Sequence, residues 1–160
     1  MATRRQTDLA VQLKAGGFDD LDDVMRIMNS AFRPCFGEAW TRSQCLGILP
    51  MNGVMMTLAE TGRGIAGFSL VRSVADEAEL LLLAVDTEEQ RRGIGQLLLD
   101  EFIARSRERG ARRLHLEVRD GNPAVGLYEA AGFLPAGRRR SYYHGPDGEA
   151  FDAVTLMLSR

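Results

Sequence analysis

The residues of this chain most able to do chemistry stand between Gln90 and Gly95. There Gln90-Arg91-Arg92-Gly93-Ile94-Gly95 joins an apolar run, Leu80 to Val85, to a segment with helical periodicity. Glycines without Cβ atoms let main chain approach a ligand, and the first N–H groups of the following helix have no partner within it and lie at the positive end of its dipole. Arg91 and Arg92 add charge at the same place. The chemistry predicted is the binding of a pyrophosphate. Glu117 is the second candidate. Alternation along Arg113 to Val118 puts Leu114, Leu116 and Val118 on one face and His115 and Glu117 on the other, so this carboxylate leaves its strand near the C-terminal end and could accept a proton. A carboxylate of ordinary pKa, about 4.3, is a weak base at neutral pH, so partial burial or relay through a water is expected. A solvated residue pairing with Arg113 or Arg119 fits the same spacing.

Elements must position these groups. Leu9, Val11 and Leu13 alternate with polar neighbours and predict a first strand, broken by Gly16-Gly17. Asp19 or Asp20 can cap a helix carrying Leu21, Val24, Met25, Met28 and Phe32 at helical spacing. Thr41-Arg42-Ser43-Gln44 has the form of a capping box opening a short second helix that stops near Pro50, with Arg33 to Trp40 as loop between the two. Met55 to Glu60 and Ile65 to Val71 read as a hairpin, and Asp76-Glu77 turns the chain into Leu80 to Val85. The helix after the glycines carries Leu97, Leu98, Phe102 and Ile103 and ends at Arg109-Gly110. Leu114 to Val118 is a strand, Asn122-Pro123 opens a helix to Ala131, and Phe133 to Gly137 with Phe151 to Leu158 closes the chain as a hairpin around a loop, Arg138 to Ala150. That order predicts a mixed α/β sheet with helices packed against it.

Composition excludes several classes. A chain of 160 residues, 45% hydrophobic and 26% charged, can bury the core of one domain spanning 1–160, which argues against disorder beyond a flexible tail at 1–8. A net charge of −2 offers no strong attraction to nucleic acid, and no apolar run reaches the length of a membrane span. Arg4 and Arg5 have no apolar segment behind them, so a signal peptide is not expected and the cytoplasm is. Cys35 and Cys45, with only His115 and His144 to join them, make neither a disulfide framework nor a zinc site, and no metal is expected. A monomer or weak dimer is expected.

Spacing separates the phosphate motifs. Walker A needs a lysine after its second glycine, and Lys14 is the sole lysine. A dinucleotide fingerprint is closer, since Glu117 ends the next strand; but its third glycine position holds Leu98, and seven residues separate Val85 from Gly93 where the strand should enter the glycines almost directly. The pattern Gln-x-x-Gly-x-Gly, with a strand before it, resembles the acyl-CoA-binding core of the GNAT acetyltransferase superfamily. Ala84-Val85-Asp86, Leu116-Glu117-Val118-Arg119, Leu127-Tyr128-Glu129-Ala130-Ala131-Gly132-Phe133 and Arg140-Ser141-Tyr142-Tyr143 follow in that family's order, and together they resemble the bacterial ribosomal-protein N-terminal alanine acetyltransferases. The likeness is strong over 79–158, the acyl-CoA-binding core and substrate hairpin, and looser before it.

The resemblance implies a mostly antiparallel central sheet of about seven strands flanked by about four helices. It implies acetyl-CoA as co-substrate, held by the backbone of Leu83, Ala84 and Val85, by Arg91, Arg92, Gly93, Ile94, Gly95 and Gln96 at the pyrophosphate, and by Asn122. From Asn122 to Tyr128 is six residues, one fewer than the family spacing. Glu117 would be the base and Tyr128 the acid, a phenol of pKa about 10 keeping its proton until a thiolate of pKa about 8.5 develops beside it. Tyr142 and Tyr143, in the last hairpin loop, would grip the first residues of a peptide. At pH about 7.4 an α-amine is roughly a quarter neutral and a lysine about one part in a thousand, so a modest base suffices for a protein N-terminus, here that of a ribosomal protein starting with alanine. A small amine, an internal lysine and a non-catalytic acyl-CoA-binding module are the alternatives.

Overall fold

The computed structural model describes residues 10–159, so Leu9 and the tail at 1–8 lie outside the described residues. The first strand, β1 (Gln12–Gly16), leads through a 3-10 turn at Phe18–Asp20 into helix α1 (Leu21–Ala31). Asp20 Oδ2 accepts the Gly17 N–H at 2.9 Å and closes that turn. Helix α2 (Arg42–Ile48) opens with the reciprocal cap expected: Thr41 Oγ1 accepts the Gln44 N–H at 3.1 Å and Gln44 Oε1 accepts the Thr41 N–H at 2.8 Å. Then come β2 (Val54–Thr61), β3 (Gly64–Val74), β4 (Glu77–Val85), α3 (Ile94–Glu108), β5 (Arg113–Arg119), α4 (Val125–Ala130), β6 (Leu134–His144) and β7 (Ala150–Ser159). The seven strands form one sheet in the order β1-β2-β3-β4-β5-β7-β6, antiparallel except where β4 meets β5. The expected mixed, mostly antiparallel sheet with four helices is therefore what this chain forms.

One irregularity decides where the site is. Between β3 and β4 the register runs Val71↔Leu80 and then Leu70↔Leu82, so Leu81 is the extra residue of a β-bulge. The bulge turns the side chains over: Leu80 packs with Leu99, Phe102 and Leu114 under α3, whereas Leu82 and Ala84 pack with Val24, Ile27 and Met28 under α1. It also bends the strand away from β5. Pairing between β4 and β5 covers only Glu77↔Arg113 to Leu80↔Leu116, so beyond Leu80 the two strands splay and leave one edge of Leu81–Val85 without a neighbouring strand.

Two boundaries differ from expectation. Helix α4 starts at Val125, because Asn122 Oδ1 accepts the Ala124 N–H at 2.8 Å and makes a turn of 122–124 before the helix begins. Tyr142 and Tyr143 are not in a loop: β6 continues to His144, leaving only residues 145–149 to connect it to β7. The register passes from Arg139↔Ala153 to Tyr143↔Phe151, and Asp152 Oδ1 accepts the Ser141 N–H at 2.9 Å inside the resulting bulge. Among the described residues no helix is long and apolar enough to cross a membrane.

Candidate active site

The splay opens a cleft of about 1040 Å³, lined on one side by β4 and the turn after it, and on the other by the end of β5, the α1–α2 segment, α4 and the β6 bulge. Its first wall offers main chain. The Asp86 N–H donates to Ala66 O at 2.8 Å, so by antiparallel alternation Leu82 and Ala84 face β3 with their peptide groups while Leu83 and Val85 turn theirs to the cleft. Ala84 thus meets the cleft without free polar groups of its own backbone. Val85 O is held by Gln90 Nε2 at 3.2 Å.

The turn that follows is pinned from α1. Arg26 Nη1 reaches Asp86 Oδ2 at 2.7 Å, and Ser30 Oγ accepts the Thr87 N–H at 3.1 Å. Arg91 and Gly93 then take left-handed conformations, φ 64° and 79°, and Gly93 caps α3. The first intrahelical bond runs from the Leu97 N–H to Gly93 O, which leaves the N–H groups of residues 94–96 for a ligand. A Cβ on Gly95 would stand 3.8 Å from Val85 and 3.6 Å from Leu127, in the cleft itself. Arg91, Gly93, Ile94 and Gly95 line the cleft; Arg92 and Gln96 lie outside its lining. Arg92 pairs with Glu89 at 3.2 Å, and Gln96 Nε2 donates to Asp100 at 2.8 Å. An open strand edge running to an anion cradle fits a ligand with an amide-rich arm and a pyrophosphate, which is the shape expected of acetyl-CoA.

The second wall offers side chains. Glu117, 14% exposed, is joined through Oε1 to Arg139 Nε at 2.6 Å, while Arg113 pairs with Glu77 and Arg119 with Glu38. Tyr142 stacks edge-on against Tyr143 at 5.0 Å, and Tyr143 Oη donates to Glu117 O at 3.4 Å. In a regular strand two adjacent side chains point to opposite faces, and the β6 bulge is what lets both tyrosines line the cleft. Tyr128, 6% exposed, packs edge-on against Phe133 at 6.1 Å and also lines the cleft, as does Asn122. Burial pushes the Tyr128 phenol well above its ordinary value and the Glu38 carboxylate adds to the shift; burial and Glu38 do the same to Tyr143. Beneath Glu117 on the same face, the Glu79 carboxylate 3.7 Å away raises the His115 imidazole.

Glu38, Arg119, Phe36 and Arg139 line or flank this wall without having been singled out from the sequence for these roles. The only local signal for Glu38 was an acidic residue set between Phe36 and Trp40 in a segment otherwise read as loop. Among the described residues no group of three or more His, Cys, Asp or Glu side chains could hold a metal ion, and both cysteines are free thiols.

Comparison with known proteins gives a concordant result. A profile of the acetyltransferase (GNAT) family matches residues 21–133. A [ribosomal protein bS18]-alanine N-acetyltransferase of Escherichia coli strain K12 is 42% identical over 102 residues, 63% of this chain and 68% of that protein. A Bacillus subtilis protein to which the same activity is provisionally ascribed is 33% identical over 143 residues, 88% of this chain and 90% of its own. The crystal structure of the ribosomal-protein-S18-alanine N-acetyltransferase from Escherichia coli superimposes with a TM-score of 0.83 at 31% identity, covering 94% of each chain.

Proposed function

The chain belongs to the acetyltransferase (GNAT) family and is an N-acetyltransferase, and from that premise we propose that it acetylates the N-terminal α-amine of a protein, a ribosomal protein beginning with alanine. The observation that carries the reading is the splay of β4 from β5, which joins an anion cradle at 91–95 to the Glu117 carboxylate through an open strand edge. Acetyl-CoA supplies the acetyl group as an activated thioester when bound. Leu83 and Val85 would hold its amide-rich arm with main chain, and Arg91 with the N–H groups of residues 94–96 its pyrophosphate.

Glu117 accepts the proton that the amine releases as its nitrogen is acylated. An α-amine is already partly neutral at physiological pH, so a base of modest strength suffices to take the proton released in the transition state. Arg139 fixes one oxygen of the carboxylate and thereby its orientation. Tyr128, a phenol protonated at neutral pH that lines the cleft, would give its proton to the departing sulfur. One cleft-facing N–H, that of Leu83, would be free to polarise the carbonyl under attack. Tyr142 and Tyr143 flank the approach of the acceptor and offer rings and hydroxyls to the first residues of a peptide. The cytoplasm, where ribosomal proteins are made, is the setting that goes with this acceptor.

Intact-mass analysis tests the reading. The protein is incubated with acetyl-CoA and two peptide pools, one with free α-amines and varied first residues, the other N-blocked with free lysines. Acetylation confined to the first pool and strongest for alanine is the expected result; acetylation of the blocked pool would move the assignment to lysine.

A further inference from the structure

Glu38 belongs to an irregular segment between α1 and α2, yet its side chain is only 8% exposed. Its Oε1 accepts Arg119 Nε at 2.7 Å and its Oε2 accepts Asn122 Nδ2 at 2.7 Å. Arg119, 9% exposed, is the last residue of β5, two positions beyond Glu117; Asn122 starts the turn into α4, which carries Tyr128. One carboxylate from the acceptor side therefore binds the two elements that carry the proposed base and acid.

The neighbouring contacts hold the same segment. The Arg119 guanidinium lies 3.6 Å over the Phe36 ring, and Phe36 meets Phe151 of β7 edge-on at 5.2 Å. A Cβ on Gly37 would fall 2.0 Å from His144 O, and one on Gly145 would fall 2.2 Å from Cys35 O, so segment and hairpin are seated backbone against backbone. A buried ion pair of this kind contributes little net stability, because desolvation offsets its attraction, but it joins segments that are far apart in sequence. Both ends of the Asn122 amide are engaged, Oδ1 by the Ala124 N–H and Nδ2 by Glu38.

We propose that Glu38 is a positioning residue for the acceptor: through Arg119 and Asn122 it locks the segment from Arg33 to Trp40 against β5, α4 and β7, and so sets the mouth through which an amine reaches Glu117. The kinetic part of this inference rests on the proposed transfer to a peptide α-amine; the structural part does not. In this proposal Asn122 acts for the acceptor side, its amide engaged at both ends by Glu38 and Ala124.

The test is a double-mutant cycle. In Glu38→Gln the new amide can accept from Arg119, but its NH2 then faces the NH2 of Asn122 and one bond is lost. Hydrogen exchange at 33–40 should quicken and the acceptor KM should rise by about tenfold, the effect of losing one charge-assisted hydrogen bond. The acetyl-CoA Kd, measured by titration calorimetry, should stay within about twofold, which also shows that the variant is folded. Adding Asn122→Asp supplies the introduced NH2 with an acceptor again, and the E38Q/N122D protein should recover exchange protection and acceptor KM, which general destabilisation would not allow. Unchanged exchange and unchanged acceptor KM in E38Q would overturn the proposal. So would a weakened acetyl-CoA Kd with the acceptor KM intact. If wild-type protein acetylates no peptide, the proposed function fails, while the exchange cycle still decides the lock.

Discussion

The two walls of the cleft are built differently. Toward the phosphate turn the chain presents peptide groups: the free edge of Leu83 and Val85 and the opening N–H groups of α3. Toward the acceptor it presents side chains drawn from distant segments, Glu38, Glu117, Tyr142 and Tyr143, each fixed by an ion pair, a ring contact or a bulge. A peptide wall depends on the path of the backbone and tolerates many side chains. A side-chain wall is as precise as its supporting contacts and can change its acceptor when those contacts change.

The largest effects should separate the walls by kinetic parameter. Glu117→Gln is expected to lower kcat by about 10²–10⁴ while leaving the acetyl-CoA KM in place, since the role proposed for the lost group is general-base chemistry on the acceptor side. Stopped-flow thiol release with a good peptide acceptor measures both. On the other wall Leu83→Pro removes a cleft-facing N–H and should cost about 10² in kcat, whereas Leu83→Ala keeps that N–H and most of the turnover. Leu82→Pro is the companion. Its N–H faces β3, so it should destabilise the sheet by about 1–3 kcal/mol through the lost ladder bond, and a Leu83→Pro protein with normal turnover would mean that the peptide wall is idle.

A pair of glycines sharpens the contrast in stability. Gly37 and Gly93 have left-handed backbones, φ 67° and 79°, one on each wall. A Cβ on Gly93 meets nothing within 4 Å, so Gly93→Ala carries the conformational cost alone, about 1 kcal/mol. The same change at Gly37 would also drive a methyl group onto His144 O and force the segment off the hairpin, which should cost about 2–3 kcal/mol. Urea midpoints of the two variants give the comparison. Equal losses would show the acceptor segment to be loosely seated.

How much of this was legible in the sequence follows the same division. Strand β4, the phosphate turn, α3, β5 and the Tyr128 helix declare themselves by local spacing, apolar runs of period 2 or 3.6 and a glycine pair at a helix start. The splay does not, because a bulge at Leu81 inside a run of leucines leaves no local mark. Local pattern predicts an end to β6 at Gly137, since three arginines and a Gly-Pro-Asp-Gly sequence look like loop. Asp120 and Asp152 neutralise Arg138 there, and Asp152 stitches the bulge, both through partners at least eleven residues away. Glu38 to Arg119 spans 81 residues, so no periodicity could reveal it.

The smallest effect concerns charge beneath the acceptor wall. Glu79 raises the His115 imidazole above its ordinary value, so the folded state holds that proton more tightly than the unfolded chain does. The pair is therefore fully stabilising below the unfolded pKa, about 6.5, and its contribution disappears as pH rises through the raised folded value. Both groups are partly exposed and 3.7 Å apart, which bounds the effect at about 1 kcal/mol. Urea unfolding of wild type and His115→Gln should differ by up to that amount at pH 5.5 and converge by pH 8.5. Stability is the right readout, because the α-amine of the acceptor titrates in the same window and turnover alone would confuse its protonation with that of His115. A difference constant across this range would mean that the imidazole packs as a neutral ring and that the acceptor wall carries no titrating support.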